Sequence, residues 1–272
     1  MKRIYFTLMI CSASIISLTF NSCKKETPDT ETQSSVDNSI CEGEFNNFLS
    51  VINGYARNQQ GLKGNRSVGP TITVSDTTHF PVTMTIDYGT TGIVDSIDNK
   101  VRKGQIVASF SNKWHISGTT ATVKLINYFV ANTSGGNFVQ YNADSIMIKR
   151  TDSIVFTSTI INGTVVSPAG WSLKWASTRT MTQTGGYSSI TSGDDVFSAT
   201  GNSTGTDRNG KTYTVTLKNP IVKRSSCAWI ESGSLDLTPD GLSVRTVDYG
   251  TGTCDNKVTL VINGNTFTFS LN

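Results

Sequence analysis

Asn209-Gly210-Lys211-Thr212-Tyr213-Thr214-Val215-Thr216-Leu217 is the stretch that decides the fold. Asn-Gly readily takes positive φ at both central positions, which suits a tight hairpin. Thr212 to Leu217 then alternates polar and apolar with β-branched enrichment, the mark of a half-buried strand. From Gly205 to Thr212 the same letters also match the phosphate-binding P-loop. That loop needs a preceding strand and a following helix N-terminus aimed at phosphate, whereas Lys211 opens a strand. Nucleotide binding is set aside on that ground. Gly201-Asn202-Ser203-Thr204-Gly205 matches the nucleophile elbow, but no helix follows Ser203. The two histidines, His79 and His115, have no recognisable acidic partner in sequence.

The alternation recurs on either side. Thr71 to Val74, Val82 to Ile86 and Ala121 to Leu125 all repeat with period two. Asn162-Gly163 and Asn263-Gly264 sit between strand-like runs, and Pro239-Asp240-Gly241 separates Leu235-Asp236-Leu237 from Leu242-Ser243-Val244. The pattern gives on the order of a dozen strands with no βαβ spacing. It predicts an all-β, antiparallel chain closed as a sandwich or a stretched barrel.

One segment differs. Between residues 38 and 57, Cys41, Phe45, Phe48, Leu49, Ile52 and Tyr55 recur at three and four residues, one face of an amphipathic helix. Ser39 with Glu42 reads as a capping box. The domain plan is a signal peptide over 1–22, a flexible tether over 23–36, the helix over 37–60 and a β domain over 61–272. Two pseudo-repeated lobes are one reading of that β domain. The repeat is Ile86-Asp87-Tyr88-Gly89, returning as Val247-Asp248-Tyr249-Gly250, each followed by Asp-Asn-Lys-Val at Asp98 and Asp255. Two equivalent hairpins account for it through turn chemistry; a ligand site built from the two acidic turns is the alternative.

The start of the chain is an address. Lys2 and Arg3 precede a mostly apolar run to Phe20, which is shorter and more Ser/Thr-rich than a membrane-spanning helix. Ser22-Cys23 resembles the lipobox of bacterial lipoproteins, with Phe20 where Leu is usual. That resemblance makes Cys23 the lipidated first residue of the mature chain. Lys24 in place of Asp favours the outer membrane by the same resemblance. Removing 22 residues leaves 21 basic and 20 acidic side chains, so no clustered charge points to nucleic acid. Lys24 to Val36 is polar and charged, which reads as a tether. Of the remaining cysteines, Cys227 and Cys254 form the candidate disulfide in a secreted chain. Its loop would contribute ~3 kcal/mol. Cys41 reads as a buried thiol, and its pairing with either of the others stays open.

Ser22-Cys23-Lys24-Lys25, the Ile86-to-Gly92 block, Val101-Arg102-Lys103-Gly104-Gln105-Ile106, Cys227-Ala228-Trp229 and the Asp248-to-Lys257 block resemble secreted all-β lipoproteins of Bacteroidota. The resemblance spans most of the mature chain. It implies a secreted all-β lipoprotein and transfers no catalytic residue.

Candidate chemistry is sparse. No HExxH or paired CxxC occurs, so neither a metal nor another cofactor is expected. Asp95 to Asn99 and Asp194-Asp195 carry oxygens but lack EF-hand spacing. Trp171 and Trp175, four apart, share one face of a strand. With Arg179 nearby they are the candidate glycan-stacking platform. The expectation is an outer-membrane lipoprotein, on the periplasmic or the cell-surface face, acting as a non-enzymatic binding or structural module. Its partners would be the membrane through Cys23, and a glycan or an envelope protein. The alternative is a lipid-anchored glycan hydrolase using Asp194 or Asp195 with Glu231.

Overall fold

A computed structural model describes residues 28–57, 69–75, 78–132, 136–189 and 191–271. The signal segment and Cys23 lie outside the described residues. The chain is all-β with one N-terminal helical rod. The rod comprises α1 (Gln33–Phe45) and α2 (Asn47–Arg57). Asn46 between them keeps right-handed helical φ and ψ (−72°, −21°).

Among the described residues fifteen strands then form one antiparallel sheet. They are β1 (Thr71–Val74), β2 (Val82–Asp87), β3 (Ile93–Val94), β4 (Val101–Phe110), β5 (Thr120–Ala131), β6 (Val139–Asn142), β7 (Ser145–Arg150) and β8 (Val155–Val166), followed by β9 (Ser172–Gly185), β10 (Val196–Thr206), β11 (Thr212–Arg224), β12 (Ser232–Pro239), β13 (Arg245–Thr251), β14 (Lys257–Ile262) and β15 (Asn265–Ser270). Neighbours in sequence are mostly neighbours in the sheet. β3 pairs only with β4, and β7 lies beside both β5 and β8.

The sheet is rolled around the rod. Arg102 on β4 and Tyr249 on β13 lie eight neighbour steps apart in the sheet, about 38 Å if it were flat at ~4.8 Å per step. Both nevertheless touch α1, through Glu44 at 3.2 Å and Ser39 at 3.0 Å. A helix only ~10–12 Å across can meet both strands only if the sheet curls. Glycine-marked bulges supply curvature. At Gly104, where the β4–β5 register slips, a Cβ would fall 1.9 Å from the Asn127 carbonyl oxygen. The result is a barrel-like shell whose first and last strands, β1 and β15, do not pair. Phe45 stacks on Trp175 and meets Tyr141 edge-on, and Phe48 packs on Tyr128, so the core lies between rod and shell.

Several local expectations change. The rod begins at Gln33, and Ser39 is inside it. The Ser39 hydroxyl donates to the Ser35 carbonyl at 2.9 Å, so Ser39–Glu42 is not a capping box. Glu31 instead accepts from the Ser34 amide at 2.8 Å. The tether ends before Asp29, because Asp29 and Glu31 both pair with Arg245. Asn162-Gly163 is a bulge inside β8, not a hairpin. A Cβ on Gly163 would lie 2.8 Å from the Phe45 ring, so that glycine makes room for the rod. Asn263-Gly264 does form the two-residue turn, with φ of 49° and 81°. The Cys227–Cys254 disulfide is present, and Cys41 is free and buried.

Candidate functional site

α1 buries Ser34, Asp37, Asn38, Glu42 and Glu44 alongside Cys41 and Phe45. Each acidic side chain facing the shell therefore needs a partner. Glu44 accepts from Lys100 at 3.1 Å, from Arg102 at 3.2 Å and from the Tyr128 hydroxyl at 2.6 Å. Glu42 binds Arg179 and accepts from Ser203. Asp37 binds Arg208 at 2.5 Å. At the far end Asp195 accepts from Arg57, from Asn53 at 3.1 Å and from Gln183 at 2.8 Å. Charge pairs thus hold α1 and the last residue of α2, and apolar packing holds the stretch between.

Asp95 and Asp98, considered above for calcium, belong to the same network. Asp98 receives two Arg102 bonds, at 2.6 and 2.7 Å. Burial, the largest single effect, would raise its carboxyl, but the charge and hydrogen bonds of Arg102, with the charges of Lys223 and Lys100, together outweigh it and hold the carboxyl well below the usual range. Asp95 is raised, chiefly by burial, against the pull of Arg102. Both repeat copies use the same local bonds. Asp87 and Asp248 accept from the amides of Gly89 and Gly250, and Asp98 and Asp255 from those of Lys100 and Lys257. Tyr88 and Tyr249, one from each copy, both point inward and are buried.

The stacking platform is not formed. Trp175 is 1% exposed; its Nε1 donates to Asn38, and its ring stacks on Phe45. Arg179 is 0% exposed and bound to Glu42. Trp171 is part-exposed and covered by Arg208 at 4.1 Å. Inward alternation along β9 took Trp175 and Arg179 into the shell, where no sugar can reach them. Of the hydrolase candidates, Asp195 is bound by Arg57 and Glu231 accepts from the Arg224 amide at 3.0 Å, while Asp194 is exposed. Cys227, Glu231 and Cys254 approach one another, but the two sulfurs are bonded together and offer no thiolate. Among the described residues no helix is long and apolar enough to cross a membrane.

A site missed in the sequence lies on the outer flank of β8 to β12, near the end where α1 begins. It is a groove of about 910 Å³, within the range of ligand sites. Thr204, Thr206, Thr212 and Thr214 line it, with Lys174 on one strand and Asp240 in the turn after β12. Behind it, Gly205 makes room for the inward-facing Tyr213 ring, since a Cβ there would fall 2.3 Å from that ring. Period two puts those threonines on one face, so the signal was in the sequence; the twist that makes that face concave was not. Hydroxyls both donate and accept, so the lining matches a polyhydroxylated ligand better than an apolar or strongly charged one.

Comparison of the chain with protein-family models, with curated proteins and with solved structures gave no match in any of the three.

Proposed function

We propose that the chain is an outer-membrane lipoprotein, anchored by lipid on Cys23, that works as a non-enzymatic module binding a glycan in the threonine-lined groove. The groove carries this reading: it is large, and its walls are lined with hydroxyls. The docked N-terminus supports the setting. Asp29 is fixed to Arg245 and accepts from the Ser243 amide. It lies six positions after Cys23, a stretch that can span only about 20 Å when extended. The groove, bordered by the turn that holds Asp29, would therefore lie close to the bilayer. Glycans of the envelope surface are the ligand class that meets it there. The engagement of Asp195 with Arg57 weighs against its use in the hydrolase alternative, which leaves Asp194 with Glu231 as that reading's pair.

The test is thermal unfolding of the full chain, purified from membranes, against a panel of envelope glycans and peptidoglycan fragments. A ligand that binds only the folded state raises Tm by mass action. A dose-dependent rise with one glycan class, lost in a Thr204→Val, Thr214→Val double variant, is the expected result. A panel without any rise, or a rise the double variant retains, removes the groove as a glycan site.

A further inference from the structure

At the opposite end of the shell from Asp29, a cavity of about 680 Å³ opens beside the last turn of α2. Its walls are of two kinds. Phe80, Phe110 and Trp114 supply aromatic surface; Arg57, Lys113 and Arg150 supply positive charge. Among the described residues no carboxylate lines it.

The arginines differ. Arg57 is balanced by Asp195 at 2.9 Å. Arg150, which closes β7, is only 6% exposed. Its guanidinium lies 5.3 Å over the Trp114 ring and 4.5 Å over that of Phe156. It donates to the Ser153 carbonyl, and its Nε is buried without a hydrogen-bond partner. Among the described residues no carboxylate pairs with it. The other deeply buried arginines, Arg102, Arg179 and Arg245, each hold at least one carboxylate. An unpaired buried cation is costly. Burial first, and then the Arg57 charge, push its pKa down, as expected where a counter-ion is missing.

We propose that this cavity binds a small amphiphilic carboxylate, with its head group on Arg150 and its flat apolar body against Phe110 and Trp114. A guanidinium fork matches a carboxylate in a planar, two-bond geometry. The aromatic walls supply apolar contact along the body of the ligand. Lys113, exposed at the rim, adds long-range attraction. This site is independent of the glycan groove and of the lipid anchor.

The test is calorimetric titration of the purified full chain, with titration into buffer as blank. The probes are 2-naphthoate, its neutral isostere 2-naphthamide, and inorganic phosphate. The expected result is binding of 2-naphthoate about tenfold or more tighter than the amide, the scale of one charge-assisted contact. Arg150→Gln should lose that difference, and Arg150→Lys should restore part of it. Because Arg150 packs on two rings, Lys113→Ala serves as a second variant that leaves the fold alone. It should weaken 2-naphthoate severalfold and flatten the salt dependence. The proposal is overturned if the amide binds as well as the acid, if 2-naphthoate does not bind, or if both variants keep full affinity. Phosphate binding as tightly as 2-naphthoate would overturn the apolar half of the assignment.

Discussion

Arg245 and Asp29 meet at 2.7 Å although 216 positions separate them in the chain. This pair, reinforced by Glu31 at 3.1 Å, ties the segment just after Cys23 to strand β13. The segment that starts at Asp29 is thereby the structural handle of the shell. It enters beside β13, runs through the interior as α1 and α2, and emerges at Arg57 beside the second cavity.

Arg245→Met should cost about 2 kcal/mol, below the full penalty for breaking a buried pair because Asp29 and Glu31 keep some solvent. Asp29→Asn should cost less, since Glu31 remains. Denaturant unfolding of both variants checks the order; equal stability of Arg245→Met and wild type would mean the clamp holds nothing.

Glu42 and Arg179 are both fully buried. Removing either alone leaves a charge without its partner, so Glu42→Gln and Arg179→Met should each lose about 3–5 kcal/mol. The double variant should lose clearly less than the sum, a coupling that a double-mutant cycle reads directly. Additive losses would contradict the buried pair.

Stability should follow an alkaline arch. Burial lowers Lys223 from its ordinary value to about 8. Between about pH 8 and 10.5 the unfolded chain then holds the extra proton, and stability rises with pH by up to about 3 kcal/mol. Burial raises Tyr55, Tyr88, Tyr128, Tyr141, Tyr213 and Tyr249. Their unfolded forms lose protons first, so stability falls once pH exceeds ~10. Unfolding free energies at pH 7, 9, 10 and 11 check both limbs. Lys223→Met should abolish the rise and keep the fall.

The Cys227–Cys254 bridge closes a separation of 27 residues. Chain entropy for such a loop gives about 3.5 kcal/mol. Cys227→Ser with Cys254→Ser should lower Tm by about 10 °C. An unchanged Tm would place the stabilisation elsewhere.

The shell was largely legible and its contents were not. Thr71–Val74 and Val82–Asp87 alternate because each strand has one wet and one dry face, and that periodicity is local. Burial of α1 is a different matter. Ser34, Asp37, Asn38, Glu42 and Glu44 carry no apolar stripe, and only partners far along the chain, such as Arg102, Arg179 and Arg208, make their burial affordable. The same distance misled the reading of Trp175 and Arg179, whose inward placement depends on a helix 137 residues earlier. Asn162-Gly163 failed differently: positive φ serves a bulge as well as a turn, and the ring of Phe45 decided between them.

The anchor at Cys23 is tested most directly by growing cells with a labelled fatty acid and separating the envelope on a density gradient. The wild-type chain should carry the label and sediment with the outer membrane, and Cys23→Ala should be unlabelled and leave that fraction. An unlabelled wild-type chain recovered from the soluble fraction would contradict the lipoprotein assignment.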